Sequence, residues 1–337
     1  MKPSRLPHSA RLVVAFALAL AFLLAFPACN RGRHRVLEVN YVSAVQSTLR
    51  DQVATIYNRV GTVKNGERVE VLEHEKRFAK VRTASGVEGW IEQRYLVDQP
   101  TYDALEKLTK DNLSDPVQAP GVLRNDTNLH LTPGRETEHL YQLSTGAKVA
   151  LLKRGTAEKQ PGAIVPVKAG GKTPSGPALE DWWLVRDPEN RVGWVLARMV
   201  DIDAPLEIAQ YAEGQRFVAF FVLNQVQDPG KDGVDKSVPQ YLCAMTTPRD
   251  GQPFDFDQIR VFTWNVRKHR YETAYREHGL NGVLPVTVTS ENFDKEGTLP
   301  VFILHVKDDS GNVSERKYKL NTPIVRRVLA PGEQKET

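Results

Sequence analysis

Residues 63–72 read VKNGERVEVL and residues 143–152 read LSTGAKVALL, so the turn glycines Gly66 and Gly146 align at an offset of 80 residues. Further along, FAKVR at 78–82 aligns with WWLVR at 182–186, and GWI at 89–91 aligns with GWV at 193–195, both at an offset of 104. Self-similarity of this kind indicates a duplicated structural unit. The chain therefore contains two copies, and the second carries an insertion of 24 residues.

The insertion falls within residues 153–180, where five glycines and four prolines occur in 28 positions. Glycine and proline at this density are typical of irregular chain, because glycine weakens a strand and proline cannot donate to its ladder. We therefore predict a long surface loop over residues 153–180, between two strands of the second copy.

Each copy has the pattern of a small all-β unit. Residues 68–72, RVEVL, alternate as a half-buried strand does, and Asn65-Gly66 supplies a tight turn before them. A unit of about 60 residues is marginal alone, so its apolar side chains must share one core. The candidate core of copy one is Leu49, Ile56, Val63, Val69, Val71, Val81 and Ile91, and that of copy two is Leu131, Leu140, Leu143, Val149, Leu151, Val185 and Val195.

The order of four motifs in the first copy resembles a known family. Thr48-Leu49-Arg50, Val69-Glu70-Val71, Ala79-Lys80-Val81 and Gly89-Trp90-Ile91 followed by Tyr95-Leu96 are similar to the bacterial SH3 domain over residues 39–98. Residues 122–201 resemble it less closely, because Thr132 stands where the family often has arginine. The resemblance implies small barrels that bind cell-wall peptides or protein partners and do not catalyse a reaction.

Aromatic side chains are the candidate ligand-binding residues of these modules. Trp90 and Trp194 each follow a glycine, which leaves room for an indole or a ligand to approach the backbone. A second interpretation is that both tryptophans close the core. Tyr41, Tyr57 and Tyr95 would complete an aromatic floor for an extended peptide.

The N-terminal 28 residues have the layout of a secretory signal peptide: Lys2, Arg5 and Arg11, then an apolar run over residues 12–26. Cys29 follows directly and resembles the lipidated cysteine of bacterial lipoproteins, although Phe26 stands where that pattern usually has leucine. We expect lipid at Cys29, a tether over residues 29–38 and a cell-envelope location. Asn30 favours the outer membrane by the same resemblance. Plain secretion and an uncleaved anchor are the alternatives.

Two further regions complete the organisation. Tyr102, Leu105 and Leu108 recur every three residues and predict a helix in a linker over residues 99–121, with Thr101 as its cap.

Residues 202–327 predict a helix from Asp203 to Gly214, followed by an antiparallel sandwich or curved sheet, and residues 328–337 form a tail. Its seven strands are predicted at residues 217–226, 241–245, 259–266, 270–276, 283–288, 301–306 and 313–320. The fold class is therefore mainly β: two SH3-like barrels, a β-rich carboxy-terminal domain and short linker helices.

Composition narrows the classes of function. With 45 Lys+Arg against 41 Asp+Glu, the formal net charge of +4 is too small for a dedicated nucleic-acid binder. Two cysteines exclude a disulfide scaffold, and no motif predicts a metal or cofactor.

The leading hypothesis is a noncatalytic envelope lipoprotein whose modules bind peptidoglycan or an envelope protein. A cell-wall hydrolase, or hydrolase subunit, with its site within residues 202–327, and a structural component of an envelope assembly are the alternatives. In the hydrolase hypothesis Cys243, with His269 or His278 as base, is the candidate nucleophile.

Overall fold

The structure is a computed structural model that describes residues 35–159, 177–231 and 233–329. The expected signal peptide, Cys29, part of the tether, residues 160–176 of the insertion and nearly all of the tail lie outside the described residues. Within the described ranges, no helix combines the length and apolar character needed to cross a membrane.

The first sheet contains seven antiparallel strands. Its spatial order is β3-β2-β6-β5-β4-β1-β7. The strands are β1 (Glu38–Val42), β2 (Gln46–Arg50), β3 (Arg59–Lys64), β4 (Arg68–Glu75), β5 (Phe78–Thr83), β6 (Glu88–Glu92) and β7 (Leu96–Asp98).

The second sheet repeats this topology strand for strand. Its order is β10-β9-β13-β12-β11-β8-β14, which is the order of the first sheet with seven added to each number. The strands are β8 (Ala119–Leu123), β9 (Thr127–His130), β10 (His139–Leu143), β11 (Lys148–Glu158), β12 (Leu179–Arg186), β13 (Val192–Leu196) and β14 (Val200–Ile202). The two stretches that align in the sequence therefore occupy equivalent strands, β4 and β11.

The glycine of each Gly-Trp pair allows two strands to cross closely. A Cβ atom on Gly89 would lie 2.8 Å from the Cβ of Leu49, and one on Gly193 would lie 2.7 Å from the Cβ of Leu129. Leu49 and Leu129 are both fully buried and stand 80 residues apart. The predicted core of copy two named Leu131 as the equivalent residue, which is wrong: Leu131 is only half-buried, because the 80-residue offset places Leu129 at that core position.

Two other sequence predictions need correction. Ile56, predicted to be core, is 85% exposed, because it lies in the loop between β2 and β3 and not in a strand. The loop predicted over residues 153–180 is shorter at both ends, since β11 continues to Glu158 and pairs there with Leu179 at the start of β12. Gly155 is part of that strand pairing, and a Cβ there would meet the Trp194 ring at 2.8 Å.

Helix α1 (Gln99–Asn112) lies in the predicted linker and begins at Asp98, whose side chain accepts a hydrogen bond from the Thr101 amide. Asp98, and not Thr101, is therefore the cap. The helix docks on the second sheet: the Thr109 hydroxyl accepts a 3.1 Å hydrogen bond from the Val192 amide, and Leu108 packs beside Leu152. Helix α2 (Leu206–Ala209) is a single turn that ends before Gly214, the predicted end.

The third sheet is a seven-stranded antiparallel meander in which every strand neighbours the next one along the chain. Its strands are β15 (Arg216–Gln227), β16 (Ser237–Thr246), β17 (Phe256–Asn265), β18 (Arg270–Asn292), β19 (Thr298–Lys307), β20 (Val313–Asn321) and β21 (Ile324–Val328). The mainly β fold class predicted from the sequence, with antiparallel sheets and short helices, is confirmed.

Two strand predictions in this sheet differ from the structure. The segments at 270–276 and 283–288 are one strand, β18, and β21 was not predicted. Pro285 lies in a bulge of β18, because the pairing of β18 with β19 shifts between Val283 and Thr287 while β18 stays between two neighbours.

The chain divides into two compact units. One consists of residues 35–40, 48–62 and 68–93, and the other of residues 41–47, 63–67 and the described residues from 94 onward. In the second unit, the second and third sheets share one apolar core, in which Leu151 and Val185 belong to the same cluster as Leu242 and Phe302. Buried Gln118 joins the two sheets, since its carbonyl accepts from the Phe220 amide at 3.1 Å and its side-chain oxygen accepts from the Val286 amide at 2.8 Å.

Candidate functional site

The loop between β2 and β3, residues 51–58, is closed at its neck by one residue pair. The Asp51 amide donates to the Asn58 carbonyl at 3.1 Å, and the Asn58 amide and side chain each donate to the Asp51 carboxylate at 2.8 Å. These bonds, led by the one from the Asn58 amide, lower the pKa of Asp51. The closed neck presents Ile56 to solvent at the far end of the loop.

A groove of about 610 Å³ lies between this loop and the turn that joins β4 to β5. Buried Phe78 forms its floor, and the guanidinium of Arg50 stands 5.1 Å from the centre of the Phe78 ring. Arg77 covers the same ring at 5.4 Å. The lining residues are Arg50, Val53, Ala54, Thr55, Lys76, Arg77 and Phe78. We call this the loop groove.

The loop groove is positively charged. Arg50, Lys76 and Arg77 contribute three cations, and none of the lining residues is acidic. Glu92 approaches Arg50 from outside the lining at 3.8 Å. Arginine side chains above an aromatic ring favour planar anions such as carboxylates, with apolar groups packed on the ring. The arrangement suits an extended peptide that carries carboxylate groups.

The region that holds this groove matches a known family. Residues 46–97 form a bacterial SH3 domain. The match covers the loop groove completely and ends within β7. No curated protein matches the chain.

Three solved structures have a weak similarity to most of the chain. An NlpC/P60 family protein from Bacillus cereus is 11% identical, with a TM-score of 0.23, covering 85% of this chain and 95% of the other. NlpC2 from Trichomonas vaginalis is 10% identical with a TM-score of 0.17, covering 88% and 97% respectively. NlpC1 from the same organism has the same identity and TM-score, covering 88% and 92%. Similarity at this level carries no functional argument.

Two of the predicted ligand residues are linked to the SH3 domain's groove through Arg50. The Arg50 guanidinium lies 4.2 Å from the centre of the exposed Tyr57 ring, and Arg50 pairs with Trp90 across β2 and β6. Trp90 itself is buried, as the core interpretation expects. Its role, and that of Tyr57, in ligand binding stays a prediction.

The other three predicted residues lie in the second compact unit. Tyr41 stacks on Tyr102 with ring centres 3.8 Å apart, and its hydroxyl donates to the Gln99 side chain at 3.1 Å. The Tyr95 hydroxyl accepts from Arg94 at 2.9 Å. Trp194 packs partly buried on the second sheet beside Gly155. Tyr41 and Tyr95 therefore belong to a different compact unit from Tyr57, and the aromatic floor of these three tyrosines stays a prediction.

The sequence carries a signal for the groove, although none of the five predicted ligand residues is among its lining residues. Arg50 ends a strand, and Lys76-Arg77 forms a turn directly before the aromatic Phe78. Cations around an aromatic residue point to an anion-binding groove, but only the pairing of β2 with β6 and of β6 with β5 brings Arg50 to Phe78.

The position equivalent to Arg50 in the second sheet has different chemistry. His130, 80 residues later, lies buried against Trp182, the counterpart of Phe78, with ring centres 5.3 Å apart. Burial, with the neighbouring His139, lowers the pKa of His130. Arg135 pins the corresponding loop to the sheet through two hydrogen bonds to buried Glu180, at 2.9 and 2.8 Å. The loop of the SH3 domain has no such bond to its own sheet among the described contacts.

Among the described residues, three further features bear on catalysis or ligand binding: the Cys243 thiol, possible metal-ligand clusters and the basic turn at residues 267–270. Burial raises the pKa of the Cys243 thiol, so this side chain is a neutral thiol within β16. No cluster of three or more His, Cys, Asp or Glu residues with metal-ligand spacing occurs in the described ranges. The basic turn at residues 267–270 is a hairpin tip, in which Glu272 pairs with Lys268 at 2.9 Å.

The closed neck of the loop can be tested by replacing Asp51 with alanine. We expect faster hydrogen exchange at the amides of Asp51 and Asn58 and weaker ligand binding in the loop groove, because the variant loses the two bonds from Asn58. Because the pKa of Asp51 is lowered in the folded protein, its ionised carboxylate stabilises the closed loop above the ordinary pKa of aspartate. This stabilisation is lost as the pH falls through the lowered pKa. The protection factors of these amides, which correct for the pH dependence of intrinsic exchange, should therefore change less on acidification in the variant than in the natural protein. Protection equal to that of the natural protein would contradict the role of Asp51.

Proposed function

We propose that this chain is a noncatalytic cell-envelope lipoprotein whose SH3 domain binds peptidoglycan peptides or an envelope protein through the loop groove. The single observation that carries the proposal is the groove of Arg50, Lys76, Arg77 and Phe78 within the family-matched residues. Cell-wall binding is the activity that a bacterial SH3 domain suggests.

The chemistry of the groove supports a peptide with free carboxylates. Peptidoglycan stem peptides carry such groups at close intervals, and their short side chains would pack on the Phe78 ring. Electrostatic attraction to Lys76 and Arg77 would be strongest at low salt and would weaken as salt increases. An acidic segment of an envelope protein would use the same contacts.

The second sheet is, in this proposal, a second module of the same fold that serves as a scaffold. Its strand order equals that of the first sheet, which supports a common origin. Its loop is pinned by Arg135 and its apolar side chains enter the core shared with the third sheet. Lipid at Cys29 would hold the protein on the extracytoplasmic side of a membrane, with the outer membrane favoured by Asn30.

The cysteine form of the hydrolase hypothesis is disfavoured on chemical grounds. A nucleophilic cysteine acts as a thiolate, and burial of Cys243 favours the neutral thiol. The noncatalytic proposal is testable by incubating the full chain with purified wall material, where release of soluble fragments would contradict it.

The binding proposal is tested by sedimentation of the full chain with purified peptidoglycan sacculi at low and moderate salt. We compare Lys76→Asn/Arg77→Gln with the control Arg267→Gln/Lys268→Gln, which removes two adjacent cations from the hairpin tip of the third sheet. Asparagine is chosen at Lys76 because its φ is +53° and asparagine tolerates that conformation. The groove variant should lose at least tenfold in affinity, and the control should bind as the natural protein does.

Two results would contradict this reading of the groove. Equal losses in both variants would indicate non-specific charge attraction. No pelleting of the natural chain at low salt would exclude wall binding, and copurification of an envelope protein would then favour the adaptor or structural alternative.

A further inference from the structure

A second cavity lies at one end of the third sheet, far along the chain from the SH3 domain. It has a volume of about 530 Å³, which lies in the range of small-molecule sites, about 300–1,000 Å³. Strands β18, β20 and β21 supply its lining. The residues are Tyr275, Glu277, Arg316, Tyr318, Val325, Arg326, Arg327 and Leu329. We call it the Glu277 pocket.

The floor of the pocket is held by one carboxylate. The hydroxyls of Tyr275 and Tyr318 each donate to Oε2 of Glu277 at 2.8 Å, and Nη1 of Arg316 donates to Oε1 at 3.1 Å. Burial and the bond to Glu277 raise the pKa of Tyr275 to about 12, so the hydroxyl stays a donor at neutral pH. The Tyr318 ring in turn stacks on Phe302 with centres 4.9 Å apart. These contacts fix the floor before any ligand arrives.

The charge of the lining selects anions. Three arginines against one glutamate give the lining a net formal charge of +2. An arginine has five N–H donors, so Arg316 keeps other donors for a ligand after its bond to Glu277. Arg327 pairs in register with Tyr318, which places both side chains on the same face of the sheet. Arg316 of β20 and Arg327 of β21 thus flank the tyrosine floor, whereas exposed Arg326 pairs in register with Lys319 and its Cβ points to the other face of the sheet.

The remaining lining is apolar, and the cavity is larger than a bare anion needs. Val325 and Leu329 form one wall, and the partly exposed Tyr275 ring, whose hydroxyl is bonded to Glu277, adds apolar surface, whereas the Tyr318 ring is buried. Arginine forks pair with phosphate or carboxylate. Arg316 and Arg327 together can donate to the three oxygens of a phosphate monoester, which carries about −1.5 to −2 at neutral pH, whereas a single carboxylate offers two oxygens.

We infer that the Glu277 pocket binds an organic phosphate monoester, with the phosphate held by Arg316 and Arg327 and an aromatic or aliphatic body packed on Val325, Leu329 and the Tyr275 ring. The inference does not rest on the proposed wall-binding function. It assigns a small-molecule site to the carboxy-terminal sheet.

The test measures binding of phenyl phosphate to the full chain by calorimetry, with benzoate and inorganic phosphate as comparison probes. We expect phenyl phosphate to bind at least tenfold more tightly than either, because only it supplies both the dianion and the ring. Arg327→Gln should weaken its binding at least tenfold. Arg326→Gln should weaken it by a smaller factor, and this exposed position leaves folding unaffected.

The matched control is Lys317→Gln, which removes one charge from the opposite face of β20, where Lys317 pairs with Glu291. Its affinity for phenyl phosphate should equal that of the natural protein. Thermal unfolding of each variant checks that the sheet is intact. Absence of saturable binding, equal affinity for benzoate, or equal losses in Arg327→Gln and Lys317→Gln would each overturn the inference.

Discussion

Replacing Asp181 by asparagine is expected to lower the free energy of unfolding of the second compact unit by about 3 to 5 kcal/mol, the usual cost of removing one partner from a buried ion pair. The Asp181 side chain is 1% exposed and that of Arg154 is 6% exposed, with 2.6 Å between them. Asp181 also accepts from Arg216 at 2.9 Å and from the Gly251 amide at 2.9 Å. The loss should fall at the lower end of the range, because Arg154 keeps Asp255 at 3.3 Å.

Chemical denaturation followed by tryptophan fluorescence measures this effect, since four of the five tryptophans, Trp182, Trp183, Trp194 and Trp264, lie in the second unit. The control is Asp201→Asn. Asp201 pairs with Arg124, and both side chains are more than half exposed, so the cost should stay below about 1 kcal/mol. Equal effects of the two variants would show that the Asp181 network does not hold the second and third sheets together.

Replacing Gly89 by alanine is expected to destabilise the SH3 domain by about 1 to 3 kcal/mol, the usual cost of overpacking. The new Cβ would lie 2.8 Å from the Cβ of Leu49 and 3.1 Å from the Arg50 carbonyl oxygen. Neither atom is the free end of a side chain, so relief requires the backbones of β2 and β6 to move apart. Because Arg50 lines the loop groove, the affinity for wall material should fall as well.

Hydrogen exchange of peptides from residues 46–97 in the full chain measures the change locally, and each 1.4 kcal/mol corresponds to about a tenfold faster exchange. Gly61→Ala is the matched control in the same sheet. Its Cβ would meet only the side-chain methyl groups of Val87 at 3.0 Å and Leu49 at 3.5 Å, which can shift. An equally large effect at Gly61 would argue against the close crossing at Gly89 as the cause.

The sequence predicts those strands that belong to the internal repeat or that alternate apolar and polar residues. The 80-residue offset and the Gly-Trp pairs predicted strands that occupy equivalent places in two sheets, and the SH3 domain was recognised from short-range motifs. The errors have local causes. Ile56 is apolar but lies in a loop whose conformation is set by Asp51 and Asn58, and β11 tolerates Gly155 because the Trp194 ring covers it.

The candidate site was less predictable because it depends on pairing between distant strands. Aromatic character predicts Tyr57 and Trp90 as ligand residues, yet the groove is formed where Arg50 of β2 meets Phe78 of β5 and the turn before it. The Glu277 pocket draws on β18, β20 and β21, and the last of these strands was not predicted at all. Its sequence, IVRRV, is short, partly exposed and lacks the alternation that reveals a strand.

The apolar core shared by the second and third sheets has an evolutionary consequence. A recombination event that joined a different domain to the chain after β14 would remove the partners of Leu151 and Val185 and leave Gln118 without the Val286 amide. New domain combinations at that point would require simultaneous changes in the second sheet. The second and third sheets should therefore be inherited together, as a single module of evolution, whichever domains accompany them.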